Sequence, residues 1–324
     1  MRRLTLVFLS LFSLGLIETS VCIVFGEVSD TAKIMFGTYR DGNRELYLMN
    51  PDGSKQVNIT NHRADDVSGT WSPTGDQILF ASNRDQGEGW DLYLMDADGK
   101  NVHPVFEKPA IRSTPTWSPD GKQIAYMRTV RGVWYVYMAT SGGKNEERLA
   151  IGGSPAWSPD GSEIAYVVSV GPERLNIYIF NLQTRKQNHF FPPDDVSTAR
   201  EPDWSPDGNK LAFMWHQKRP QDEGEIYTLN RDGTSLQELV RKPGVGAAAP
   251  VWSPRGDALV YRGRLKPIRQ THVFKITLDG RGVEQLTDIS IWNVPDDWFD
   301  PAFALPVSPQ RQLLTTIWGE LKRE

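Results

Sequence analysis

Short apolar runs recur in pairs along the chain. The first runs are Ile78-Leu79-Phe80, Ile124-Ala125-Tyr126, Ile164-Ala165-Tyr166, Leu211-Ala212-Phe213 and Leu259-Val260-Tyr261. Each is followed, after a polar stretch, by a second run with a central aromatic: Leu92-Tyr93-Leu94, Val136-Tyr137-Met138, Ile177-Tyr178-Ile179, Ile226-Tyr227-Thr228 and Val273-Phe274-Lys275. Runs this short, rich in β-branched and aromatic residues and bounded by turn formers, predict strands. The second runs lead into Asp98-Gly99, Gly142-Gly143, Asp232-Gly233 and Asp279-Gly280, where glycine supplies the positive φ of a tight hairpin. No window sustains a helical period, so almost no helix is expected.

A polar phrase precedes each first run and sets the frame. Trp117-Ser118-Pro119-Asp120-Gly121 is repeated without change at Trp157 to Gly161 and Trp204 to Gly208. Trp71-Ser72-Pro73-Thr74-Gly75 and Trp252-Ser253-Pro254-Arg255-Gly256 differ by one residue, and Trp298-Phe299-Asp300-Pro301 is a degenerate copy. The tryptophans stand 46, 40, 47, 48 and 46 residues apart, a period that signals stacked copies of one supersecondary unit. Within the phrase proline sets φ, aspartate bonds back to the backbone and glycine takes the left-handed position, which makes a hairpin turn. Trp71, Trp117, Trp157, Trp204, Trp252 and Trp298 are read as structural residues that end a strand and cover the neighbouring unit.

The fold class that follows is all-β, a six-bladed β-propeller of four-stranded antiparallel blades. Its first unit begins in mid-phrase, with Ile34-Met35-Phe36, Leu46-Tyr47-Leu48 and Asp52-Gly53 but no opening marker. Trp298 has a marker's place but no strand pair after it. The C-terminal strand should therefore pair with the N-terminal blade, closing a ring that would otherwise leave two open edges. The repeats fall at about 34–70 closed by 298–302, then 71–116, 117–156, 157–203, 204–251 and 252–297. In the extension 303–324, Val307 to Trp318 echoes marker plus strand and is expected to add an outer strand.

Composition refines this picture. The 28 glycines and 22 prolines suit a chain of short strands and turns. Arg2 and Arg3 followed by the apolar run Leu4 to Ile17 read as a signal peptide over 1–26, with 27–324 as a single propeller domain. Cleavage after Gly26 fits best. A cut near Ser20 and Cys22, lipidation at Cys22 and an uncleaved anchor are the alternatives. The protein is expected in the periplasm or outside the cell, with no stable membrane span after cleavage, and as a monomer. Cys22 is the only cysteine, so the mature chain would hold no disulfide, thiolate metal site or cysteine nucleophile. The net charge of −4, without a basic run, gives no reason to expect a nucleic-acid partner.

The phrase W-S-P-D-G, followed by I-A-F/Y and then I/L-Y-x-M-x-x-D-G, resembles the propeller repeat of the TolB family, the periplasmic component of the Tol-Pal envelope system. The resemblance covers Ile34 to Trp298 and implies a propeller that binds protein in the cell envelope. In TolB an α/β domain that contributes partner contacts precedes the propeller. Only a few residues separate the expected cleavage site from Ile34 here, so the expectation is a propeller of the TolB type without that N-terminal domain. The same repeat is similar to that of propellers in prolyl-oligopeptidase-type enzymes.

Catalytic motifs are not found in the sequence. Gly152-Gly153-Ser154-Pro155-Ala156 lacks the last glycine of a nucleophile elbow. His62, His103, His189, His216 and His272 are scattered, and Asp96 to Gly99 lacks the remaining ligands of a calcium loop, so no metal or cofactor is expected. The loops before each marker should converge on the channel, which makes Asp65, Asp66, Arg112, Arg200, Glu201, Asn293 and Asp296 the candidate binding residues. In that arrangement Arg112 and Arg200 are exposed guanidinium forks for a peptide carboxylate, and removing them should barely affect stability. Gly152-Gly153 and Gly246 to Ala249 would leave room for an extended peptide. Trp90, Trp134 and Tyr135, and the basic set Arg262, Arg264, Lys266 and Arg269, are further interface candidates. The function expected is binding of a protein or peptide without chemistry. The alternatives are a propeller lyase or hydrolase acting on a polysaccharide or peptide, and a purely structural envelope protein.

Overall fold

The computed structural model describes residues 31–85, 89–172, 174–190, 198–216, 224–240, 245–265, 270–288 and 292–306. The signal segment, the echo at 307–318, and Lys266 and Arg269 lie outside the described residues. Among the described residues every strand belongs to one of six four-stranded antiparallel sheets, and the only helical turn is Pro301–Phe303. From inside to outside, blade 1 is Asn293–Phe299, Lys33–Thr38, Glu45–Met49 and Val57–Asn58. Blade 2 is Asp66–Trp71, Gln77–Ser82, Asp91–Asp96 and His103–Pro104; blade 3 is Ile111–Trp117, Gln123–Val130, Val133–Thr140 and Glu147–Ile151. Blade 4 is Gly153–Trp157, Glu163–Gly171, Arg174–Asn181 and Gln187–His189. Blade 5 is Thr198–Trp204, Lys210–His216, Glu225–Asn230 and Gln237–Val240; blade 6 is Val245–Trp252, Ala258–Leu265, Gln270–Thr277 and Val283–Gln285.

Closure is as the sequence predicts, with Ile34 opposite Trp298 and Thr38 opposite Asn293. The frame of the sheets, however, is offset from the repeat frame by one strand. The strand that ends in Trp117 pairs with Gln123–Val130 in its own blade, not with the unit at 71–116. The reason is local: the marker turn joins the strand before it to the run after it, so each marker tryptophan ends the innermost strand of a new blade.

The alternating apolar positions of the strands form six cores, one between each pair of neighbouring blades. Met35 and Leu46 pack against Trp71, Phe80 and Tyr93 between blades 1 and 2, and Ile34, Phe36 and Met49 meet Val260 and Val273 between blades 6 and 1. Because every core is shared, no blade buries its apolar faces alone. The inner strands also touch one another around the ring. Marker tryptophans tie adjacent blades by polar contacts: the indole N–H groups of Trp117, Trp204 and Trp252 donate to the carbonyls of Thr70, Ala156 and Asp203 in the preceding blade.

Inside each marker the serine is the hub. The buried hydroxyls of Ser118, Ser158 and Ser205 accept from the N–H five residues on and donate to Asp120, Asp160 and Asp207. Where threonine or arginine replaces that aspartate, Ser72 and Ser253 donate instead to Asp76 and Asp257, two residues further along. In blades 1 to 3 the glycine turns after the third strands, at Gly53, Gly99 and Gly143, press on the preceding blade. At Gly99 φ is +83° and a Cβ would lie 2.3 Å from the Ile59 carbonyl oxygen; at Gly143 φ is +71° and the distance to that of Val105 would be 2.2 Å. Both the left-handed backbone and the close approach exclude a side chain there.

Candidate functional site: the central channel

Each inner strand carries a register shift, at Val67/Thr70, Ser113/Thr116, Gly153/Ala156, Arg200/Asp203, Ala248/Val251 and, in blade 1, opposite Met35/Phe36. Such bulges re-aim side chains. In five blades a non-glycine residue takes the left-handed conformation at this point, with φ of 54° at Ser68, 46° at Thr114, 48° at Ser154, 57° at Glu201 and 50° at Ala249. Gly69, Pro115, Pro155, Pro202 or Pro250 follows it, and in blade 1 Pro295 precedes the bulged Asp296. These segments line a central cavity of about 310 Å³.

Its wall mixes prolines and small apolar residues with acidic and hydroxyl side chains. Glu201, Asp203, Asp296 and Asp297 line it, together with Ser68, Thr70, Thr114, Thr116 and Ser154, and the lining contains no lysine, arginine or histidine. Backbone donors from the next blade hold three of the acids. Asp297 accepts from Trp71 N–H at 2.8 Å and from the Thr70 hydroxyl at 3.0 Å, Asp203 from Trp252 N–H at 2.7 Å, and Glu201 from Ala249 N–H at 2.7 Å. Burial pushes the Asp203 carboxyl up to about 7, opposed by the Trp252 N–H and reinforced by the charge of Asp297. Asp297 is raised by burial against its N–H donors, and Asp296 is raised well above the usual carboxylate range by burial and then by Asp297. No group of three His, Cys, Asp or Glu side chains among the described residues is placed to hold a metal ion.

An acid raised in the fold binds more protons folded than unfolded. The stability Asp203 contributes is thus complete below its ordinary value of 3.8 and is lost as the pH rises through about 7. Asp120, Asp160 and Asp207 are depressed chiefly by their marker hydrogen bonds, for Asp160 against the opposing effect of burial, and act in the opposite sense at more acid pH. The melting temperature should therefore fall between about pH 4 and pH 7. Asp203→Asn, which still accepts the Trp252 N–H but cannot ionise, should flatten that fall. An unchanged profile for this variant, followed by thermal melts across the range, would show that Asp203 does not titrate there.

Of the residues picked from sequence, Glu201 and Asp296 meet in the channel and the others do not. Asp66 is fully buried and receives both bonds of Arg84 Nη2, at 3.1 and 2.9 Å. Arg112 is not an exposed fork. It is 2% exposed, bonds both Asp91 oxygens at 3.0 and 3.1 Å, donates from Nε to Glu146 at 3.1 Å, and lies 3.7 Å over the Phe106 ring. Asn293 is buried on Thr271, Asp65 accepts the Arg44 backbone N–H, and Arg200 lies on the inner strand of blade 5 outside the cavity lining. Gly152 and Gly153 serve packing, since a Cβ would meet the Val167 carbonyl oxygen at 2.4 Å and Met127 Sδ at 2.5 Å. Sequence reasoning missed Asp203 and Asp297. The signal was present, because both stand immediately before a marker tryptophan, where the inner strand still faces the channel.

Known structures share this architecture. TolB from Acinetobacter baumannii superposes with a TM-score of 0.71 at 18% identity, over 84% of this chain and 67% of that one. A putative TolB from Agrobacterium tumefaciens gives 0.66 at 21% identity, over 86% and 99%. An oligogalacturonate lyase from Vibrio parahaemolyticus gives 0.56 at 16% identity, over 78% and 74%. At these identities the likeness is one of fold. No curated protein matches the chain. The model of the TolB beta propeller domain matches residues 85–298, which is most of the ring, and the chain belongs to that family.

Proposed function

We propose that this propeller is a non-enzymatic binding protein of the cell envelope, exported to the periplasm or beyond, which holds a protein or peptide segment at its channel. The observation that supports this most is the channel wall. Five of the six inner strands present hydroxyls or carboxyls in one ring, in a cavity at the lower end of the roughly 300–1,000 Å³ typical of ligand sites. Family membership and the N-terminal charged and apolar pattern point to the same compartment. Acceptors in such number suit a ligand rich in N–H donors, as a polypeptide is.

Filling the channel tests this reading. Ser154→Trp replaces a small wall residue, so partner capture from an envelope extract should fall by about ten-fold or more while the melting temperature stays within about 3 °C of the parent. Undiminished capture would sink the proposal. One observation favours the enzymatic alternative: a carboxyl near neutrality in a concave site is what an acid–base catalyst uses. On that reading Asp203→Asn abolishes turnover of a polysaccharide or peptide, and on the binding reading there is no turnover to lose.

A further inference from the structure

Arg44, in the hairpin between the second and third strands of blade 1, pairs with a carboxylate only loosely through its guanidinium. Its backbone N–H donates to Asp65 Oδ1 at 2.8 Å, which fixes the chain. Its guanidinium lies 3.9 Å from Asp65 Oδ2, and the side chain is 45% exposed. It makes no hydrogen bond among the described residues. Two indoles flank it: Arg44 Cζ is 6.0 Å from the Trp90 ring of blade 2 and 5.7 Å from Trp292, the residue before the inner strand of blade 1. The exposed Tyr39 joins this group, its N–H donating to the Trp292 carbonyl at 3.2 Å. The lip adjoins the channel, because a Cβ on Gly37 would lie 3.1 Å from the Trp292 ring and 3.3 Å from Asp296 Oδ2.

We propose that Trp90, Arg44 and Trp292 form a docking lip for a partner polypeptide that presents an acidic side chain beside an apolar one. Cation–π attraction holds the guanidinium between the rings while its N–H donors remain unfilled, so a carboxylate can be taken bidentately with little further ordering. By contrast, the forks of Arg84 and Arg112 are already occupied by Asp66 and by Asp91 with Glu146. The flanking indoles offer the apolar part of the segment flat contact area, and Trp, Tyr and Arg are the residue types that concentrate binding energy at interfaces. This rests on the peptide-binding reading above and adds the chemistry of the segment.

The test uses the full chain and an array of short synthetic peptides in four sets: acidic with aromatic, acidic alone, apolar alone, and basic. The first set should bind best and perturb tryptophan fluorescence. Arg44→Ala and Arg44→Lys should each weaken that binding about ten-fold or more, since lysine keeps the charge but loses the fork, with melting unchanged within about 3 °C. Preference for basic or uncharged peptides, or equal binding by Arg44→Ala, would overturn the lip. So would Arg44-dependent binding to vesicles containing anionic lipid without peptide capture, which would make this a membrane-facing surface. If Ser154→Trp abolishes peptide binding while Arg44→Ala does not, the lip falls and the channel reading stands. If no peptide set binds, both fall.

Discussion

A chain that stops before Asn293 should not form the ring at all. The strand it lacks supplies the inner edge of blade 1, pairing along the whole of Lys33–Thr38. The same strand carries Asp297, which caps the Trp71 N–H, and Phe299, whose ring stacks on Trp71 at 5.0 Å between centroids and packs over Gly75. Its loss opens the cores on both sides of blade 1 and exposes the backbone of a strand made of Ile34, Met35 and Phe36. Domain stabilities are only about 5–15 kcal/mol, so losing two of the six shared cores should remove the cooperative transition entirely. A chain ending at Pro306, which keeps every described strand, is the control. Calorimetry that found the shorter chain melting cooperatively within a few degrees of that control would refute closure as the source of the ring's stability.

Arg112→Met should cost about 3–5 kcal/mol, because it leaves the buried Asp91 carboxylate without its cation, whereas the more exposed Glu146 keeps its ion pair with Arg128. An exposed binding arginine would cost at most about 1 kcal/mol. Adding Asp91→Asn should restore part of the loss, which separates a broken ion pair from a mere cavity. Chemical denaturation of the single and double variants reads both effects. An Arg112→Met protein as stable as the parent would mean that the buried Arg112–Asp91 pair is energetically idle.

The difference between these two sites shows what the sequence could reveal. The ring was legible because its determinants are local: turn residues at fixed offsets, paired apolar runs, and a period of 40 to 48 residues. Arg112 was misread because its partners lie 21 and 34 positions away, and no local pattern distinguishes a paired arginine from a free one. The channel was half legible. Glu201 and Asp296 follow from their place before a marker. The left-handed bulge at Thr114 or Ser154 is imposed by ring geometry on residues that do not favour it. Arg44 had no sequence signal, since Trp90 and Trp292 converge on it from 46 and 248 positions further along the chain.

Blade 1 joins the first described strand to the last, and this gives the molecule a timetable. At synthesis rates of about 5–20 residues per second, Phe299 follows Lys33 by roughly 13–53 seconds. Blades 2 to 6 each have all four strands from one continuous stretch and can form as they emerge. Blade 1 cannot. Throughout that interval the growing chain exposes an apolar strand whose proper partner has yet to be made, so the first blade to be synthesised is the last to be completed.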